Sequence, residues 1–225
     1  MQKFDLQIHT IYSSHGSFKF DSVITPKDAV RTAIQKGLDG IAITDHDTIK
    51  AVKECRSYAG NKLEIVSGCE VASFRGHILA YGIDEWNEEK QDAQEVIEKI
   101  HALGGIAVAS HPFKTTLLRK GLGNLVKKLN LDGIEVLNYH ASPEQNSMAR
   151  KVAEEMKLGM VAGTDAHILS DIGEVRTVSD GDLIDNIKNG RTKVEGREIP
   201  RLRELLTYAK RGLLLTKNIF TKAPS

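Results

Sequence analysis

The sequence predicts a single α/β barrel, and three observations carry that prediction. Short apolar runs alternate with helix-period segments from end to end of the chain. Six or seven strand–helix units follow one another, which favours one closed barrel of largely parallel strands over two separate sheets. No low-complexity linker and no internal repeat of ~20–50 residues interrupts the pattern, and barrels of this kind run to ~250 residues as one domain.

The elements follow in order. Phe4-Asp5-Leu6-Gln7-Ile8 alternates apolar and polar, the period of a half-buried strand. Thr25-Pro26-Lys27-Asp28 reads as a helix start, with Thr25 as N-cap, Pro26 at the first helical position and an acidic residue three after the cap. Ala29, Val30, Ala33 and Ile34 give that helix its apolar face, and Gly37 ends it. Gly40–Thr44 is a strand of the fully buried type. Further strands are predicted at Leu63–Ser67, His77–Ile83, Ile106–Ser110, Gly133–Leu137 and Met160–Ala162. Helices are predicted at Thr48–Tyr58, Lys90–Leu103, Asn124–Leu129, Pro143–Lys157, Leu183–Lys188 and Arg201–Arg211. Strands spaced by helices imply parallel units with right-handed crossovers. The barrel is assigned to residues 1–198 and a basic helical extension, packing on it, to residues 199–225. From Pro200 onward Arg201, Arg203, Lys210, Arg211, Lys217 and Lys222 face a single acid, Glu204, while Leu202, Leu205, Leu206 and Leu213–Leu215 make the stretch amphipathic.

Composition removes several function classes. The 225 residues hold 31 basic and 30 acidic side chains, a formal charge of +1, which argues against a nucleic-acid footprint spread over the whole surface. No apolar run approaches the ~20 residues of a membrane span, and the first residues lack a signal-peptide core. Two cysteines, Cys55 and Cys69, make no disulfide framework, so a reducing cytoplasm is the default compartment. The 8 histidines stand out beside 6 Phe, 5 Tyr and 1 Trp.

Those histidines recur with acids at strand ends. The first strand ends in His9, with His15 in the next loop. The second ends in Asp45-His46, the third in Glu70, a later one in His111-Pro112, and another in Asp165 with His167 close behind. His77 opens its strand. The C-terminal strand ends of a parallel barrel gather on one face, and imidazoles with carboxylates are good ligands for zinc, manganese or iron. A lone histidine is usually a surface or core residue; this repetition predicts a metal site. His101, in mid-helix, is assigned to structure or solvent, and His140, just past a strand, is left open between the two roles.

The segments Asp5-Leu6-Gln7-Ile8-His9-Thr10, Thr44-Asp45-His46-Asp47, Gly68-Cys69-Glu70, Ser110-His111-Pro112 and Gly163-Thr164-Asp165-Ala166-His167 resemble the motifs of the polymerase and histidinol phosphatase (PHP) domain. His77–Asp84 is similar to the short stand-alone members described as metal-dependent phosphoesterases. The resemblance runs from about residue 3 to about residue 196. Single motifs are weak, but all of them in order are specific. The resemblance implies a distorted (β/α)7 TIM-like barrel with two or three divalent ions. Carried over by motif, His9, Glu70 and Asp165 hold a first ion. Glu70, His77 and His111 hold a second, and His15, His46 and His167 a third. Asp45 is expected to orient a ligand imidazole. Gln7 departs from the family's His-x-His pattern. A neutral amide oxygen is a weaker ligand than imidazole, so the first ion binds less tightly, or Gln7 bonds a metal-held water, or the arrangement shifts.

The expected reaction is hydrolysis of a phosphate mono- or diester by a metal-bridging hydroxide, without a covalent enzyme intermediate. No G-x-S-x-G element or reactive-cysteine signature offers another nucleophile. Glu70, Asp165 and His167 are the expected catalytic residues, with His140 or His167 available as proton donor. Lys114, Asn138, His140, Arg75 and Arg176 are the candidate substrate contacts, Arg75 in a hairpin turn before His77. The expected substrate is a nucleotide or small phosphorylated metabolite. A nuclease using the basic C-terminal segment is the alternative, disfavoured because aromatic and basic residues are not interleaved as single-strand binding requires. A weakened, accessory metal-binding barrel is the third reading, motivated by Gln7. No membrane partner is expected, and the sequence does not fix the oligomeric state.

Overall fold

The computed structural model describes residues 1–13, 21–87, 90–115, 121–200, 206–207, 209 and 212–214. Nine strands, β1 (Gln2–Ile8), β2 (Gly40–Ile43), β3 (Glu64–Ala72), β4 (His77–Tyr81), β5 (Ile106–Ala109), β6 (Gly133–Asn138), β7 (Gly159–Gly163), β8 (Val175–Ser179) and β9 (Lys193–Gly196), form one sheet among these residues. Its order is β7-β6-β5-β4-β3-β2-β1-β8-β9. The helices are α1 (Pro26–Gln35), α2 (Lys50–Ala59), α3 (Ala93–Ala102), α4 (Pro143–Met156) and α5 (Leu183–Lys188). The helix expected at Asn124–Leu129 is a 3-10 segment, Gly123–Lys128. Thr25 caps α1, its hydroxyl accepting from the Asp28 N–H, with Pro26 in the first turn. Strands β8 and β9 carried no sequence prediction. They form an antiparallel ribbon on the outer edge of β1.

The sheet curls into a barrel because β7 returns to β1. Ile8 bridges Ala166 in parallel, with His9 N–H donating to Ala166 O and Ala166 N–H to Gln7 O. Thr177 of β8 secures the same seam, its hydroxyl donating to Ala162 O and accepting from Ala162 N–H. Phe4, Leu6, Ala42, Val66, Leu79, Tyr81, Ile106, Val108 and Val161 fill the barrel, and Leu183 and Ile187 of α5 join that cluster. The outer faces of the strands pack on α1 and α2 on one side and on α3 and α4 on the other.

The hairpin expected before His77 breaks the parallel pattern inside the barrel. β4 runs antiparallel to both β3 and β5, because only Ser73–Gly76 separate β3 from β4, enough for a hairpin and far too few for a crossover. The reversal places His77, the first residue of β4, opposite Ala72 at the end of β3. It therefore arrives at the same barrel face as the other strand ends.

Two register slips matter for the site. In β1 the pairing shifts between Asp5 and Ile8, and in β6 between Glu135 and Leu137. Simple alternation would put Leu6 inside and Gln7 outside. With the slip, Leu6 packs in the barrel core, Gln7 reaches across to Ser110 of the opposite wall, and Ile8 turns out to the helices. The slip in β6 likewise lets Glu135 and Asn138 both point inward and meet. Bulges of this kind re-aim side chains beside active sites.

The C-terminal extension predicted for residues 199–225 lies mostly outside the described residues; Leu206, Thr207, Ala209 and Gly212–Leu214 are helical. No helix among the described residues is long and apolar enough to cross a membrane.

Candidate metal centre

The strand ends converge on Glu70. Its Oε2 lies 3.1 Å from His9 Nε2 and 3.4 Å from His46 Nδ1, and its Oε1 lies 3.0 Å from His77 Nδ1 and 3.1 Å from His111 Nε2. Four imidazoles from four different strand ends thus bracket one buried carboxylate. Asp165 closes the group from the far side, with Oδ1 3.3 Å from His9 Nε2. His167 stacks on His9, their ring centroids 4.5 Å apart and their planes 16° from parallel.

Backbone conformation is special at two of these positions. His111 and Asp165 take positive φ, 27° and 54°, outside the range L-residues prefer. Such strain survives where surrounding structure over-determines it, and it clusters at functional sites. The chain turns sharply off β5 and β7 at these residues, which points both side chains over the barrel mouth.

Electrostatics sharpens the picture. Burial pushes the Glu70 carboxyl up, but His77 and His46 beside it, with hydrogen bonds from His111 and His77, hold it well below the usual carboxylate range. Asp165 is held down in the same way by Lys114, His9, His167 and His111 against its own burial. Burial pulls the His46 imidazole down to about 3, leaving it neutral and able to donate a lone pair. Burial also opposes the charge of His9, but Asp165 and Glu70 outweigh it and raise that imidazole well above its ordinary value.

His9 tests whether the group fits a metal ion. The Ser13 hydroxyl donates to Asp45 Oδ1 at 3.0 Å, so it accepts from His9 Nδ1 at 2.9 Å. The remaining nitrogen, Nε2, is buried without an aligned hydrogen bond among the described residues and faces two carboxylates. A bare lone pair there would meet negative charge on both sides, so the position calls for a cation, either a proton or a metal ion. Oxygen and imidazole donors on hand suit a borderline divalent ion. Three groupings bring ligand atoms within 4.8 Å of one another: His9, Glu70 and Asp165; His46, Glu70 and His77; and His9, Asp21, His46 and His167.

Asp21 is the residue that sequence reasoning missed. Its Oδ2 lies 3.0 Å from His167 Nε2 and 3.8 Å from both His9 Nδ1 and His46 Nε2. It stands in an irregular stretch ahead of Thr25, where no periodicity marks it; an acid four residues before a helix cap is too common to single out. His15, expected in this third group, lies outside the described residues. Among the described residues Asp45 bonds no imidazole directly. It accepts from Thr10 and Ser13 and acts on His9 through the Ser13 hydroxyl.

The candidate substrate contacts separate. Lys114 enters the site, its Nζ 2.9 Å from Asp165 Oδ2. His140 is paired with the buried Asp171, Nε2 to Oδ2 at 3.1 Å. Asn138 is fully buried and bonded to Gln7 and Glu135. Arg176 donates to the Gly173 carbonyl, on β8 rather than in the cluster. Arg75 is exposed on the β3–β4 turn. His101 Nε2 donates to Asp132 Oδ2 at 2.8 Å, a structural pair between α3 and the residue just before β6. Both cysteines are free and buried, and burial drives the Cys55 thiol up to about 12.

Residues 143–192 match a family model described as PHP-associated. The protein MJ1587 of Methanocaldococcus jannaschii, itself uncharacterised, is 38% identical over 161 residues, covering 68% of this chain and 93% of that protein. The chain belongs to the PHP family. A 5'-3' exoribonuclease of Haemophilus influenzae is 22% identical over 274 aligned residues, covering 83% of this PHP chain and 97% of that enzyme. A crystal structure from Bifidobacterium adolescentis, assigned to a metal-dependent phosphoesterase, superposes with a TM-score of 0.62 at 19% identity. It covers 73% of this chain and 87% of its own, and shares the PHP barrel.

Proposed function

We propose that this PHP protein is a metal-dependent hydrolase of phosphate esters, with Glu70 as the shared ligand of a di- or trinuclear centre. The observation that carries the reading is the pair of Glu70 oxygens, each facing two imidazoles. His9, Glu70 and Asp165 would hold one ion, Glu70, His77 and His111 a second, and Asp21, His46 and His167 a third. Bound there, divalent ions would supply Lewis acidity toward a phosphoryl oxygen and a nucleophile available at neutral pH.

The chain's own residues supply the rest. Ser13 and the Asp165 carbonyl take the Nδ1 protons of His9 and His167, which leaves each Nε2 as the ligand atom. Lys114 carries the positive charge that a phosphoryl oxygen would meet at the mouth, beside Asp165. His140, held by Asp171, is the proton donor for a leaving oxygen. Small phosphorylated metabolites and nucleotides are the proposed substrates, zinc, manganese or iron the proposed ions, and the cytoplasm the proposed compartment. The exoribonuclease likeness favours one second reading, a nuclease acting on single strands.

The deciding experiment measures metal content and phosphate release from nucleotides, sugar phosphates and oligonucleotides, with and without chelator. Release from the small esters, lost with chelator, supports the proposal. Turnover confined to oligonucleotides would move it to the nuclease reading, and metal-bound protein without turnover on any ester would leave an accessory barrel.

A further inference from the structure

Gln7 interrupts the His-x-His pattern, and the structure shows what its side chain does instead. It is fully buried, and both ends of its amide are engaged. Asn138 Nδ2 donates to Gln7 Oε1 at 3.2 Å, and Gln7 Nε2 donates to Ser110 Oγ at 3.2 Å. The direction of these bonds is set from outside the chain of amides. The His140 backbone N–H donates to Asn138 Oδ1 at 3.0 Å, so Asn138 must turn its nitrogen toward Gln7. That nitrogen also donates to Glu135 Oε2 at 3.1 Å. Facing a donor, Gln7 presents its oxygen to Asn138 and keeps its nitrogen for Ser110. Ser110 has a single proton, and it goes to Glu70 Oε1 at 2.7 Å.

Packing holds the same geometry. Any Cβ at Gly163 would lie 2.5 Å from the Gln7 Cβ, so the glycine is what lets Gln7 lie flat against β7. The register slips in β1 and β6 bring Gln7 and Asn138 to the interior together.

We infer that Gln7 is a positioning residue and not a metal ligand: through Ser110 it fixes the Oε1 side of Glu70, the side that faces His77 and His111. Its oxygen accepts from Asn138 and its nitrogen donates to Ser110, so both polar ends of the amide are held in this network. The inference rests on the metal-binding reading of the site, and the test separates the two.

Manganese(II) alone is titrated calorimetrically into metal-free wild type, Ser110→Ala, Gln7→Met and the double variant, with circular dichroism to check folding. Each single change is expected to weaken binding by about 10- to 100-fold, the usual effect of removing a partner of a ligand, with the number of ions unchanged. The double variant is expected to bind no more weakly than either single one, because both changes cut one chain. Loss of a whole manganese equivalent in Gln7→Met but not in Ser110→Ala would overturn the inference, as would two losses that multiply. If Gln7→Met does not fold, Ser110→Ala decides alone: unchanged affinity there means the last link is idle, and the inference fails. A wild type that takes up no manganese sinks the metal reading itself, and the inference with it.

Discussion

Asp21 Oδ2 and His167 Nε2 lie 3.0 Å apart, joining the irregular stretch before α1 to the loop that leaves β7. The pair is drawn further into the cluster by His9 and His46, each 3.8 Å from the same oxygen. Burial alone would raise the Asp21 carboxyl, yet the three imidazoles keep it ionised far below its ordinary value. Asp21→Asn keeps the shape and removes the charge. It is expected to lose one bound ion, or to weaken it at least tenfold, while the fold and the ions on Glu70 remain. Metal analysis after dialysis against a fixed manganese concentration reads this directly.

Asp5 gives the stability of the barrel a pH dependence. Its carboxylate is fully buried and accepts from Thr164 N–H, the Thr164 hydroxyl and Gly173 N–H. Burial outweighs these bonds and lifts its pKa from 3.8 to about 6. A folded-state value above the unfolded one means that its contribution is complete below pH 3.8 and fades as pH rises through about 6. The difference in unfolding free energy between wild type and Asp5→Asn should therefore shift against wild type by on the order of 2–3 kcal/mol across that window. Urea denaturation at several pH values in chelator measures it. A difference that is flat with pH would refute this account of Asp5.

Thr177 tests the closure of the barrel. Its hydroxyl makes both hydrogen bonds to Ala162 that the backbone of β8 does not. Thr177→Val keeps the volume and leaves a buried N–H and C=O without that partner, at a cost of about 1–3 kcal/mol. The denaturation midpoint should fall with the slope unchanged.

Lys114 separates substrate binding from metal binding. Its ammonium rests on Asp165 at 2.9 Å. Lys114→Met is expected to weaken binding of inorganic phosphate to the metal-loaded protein by about tenfold, from the loss of a charge-assisted hydrogen bond. Manganese affinity should stay level or rise, because a positive charge no longer competes for Asp165. Equal phosphate affinity in both proteins would remove Lys114 from the substrate site.

Much of this was legible in the sequence because the signals are local. The Thr25-Pro26 cap, the strand runs and the histidines at their ends all register within a few residues. The features that escaped depend on distant partners. The β8–β9 ribbon exists by pairing with β1, and its short polar strands have no apolar period of their own. The slips in β1 and β6 are invisible in a pattern that reads as plain alternation, yet they decide that Gln7 and Asn138 face each other. Asp21 joins the cluster only once β7 closes on β1 and carries His167 to it. The commitment of Asn138 to Gln7, rather than to a substrate, is likewise a fact of the folded barrel.

The central claim is that Glu70 organises bound divalent ions, and a manganese titration of wild type beside Glu70→Gln tests it most directly. Wild type should bind at least two equivalents and gain thermal stability with added metal, by ~2.7 kcal/mol when the free ion is a hundredfold above its Kd. Glu70→Gln should fold, lose at least one equivalent and show little of that gain. A wild type that binds no manganese, zinc or iron, or a Glu70→Gln titration that overlays the wild type, would contradict the account.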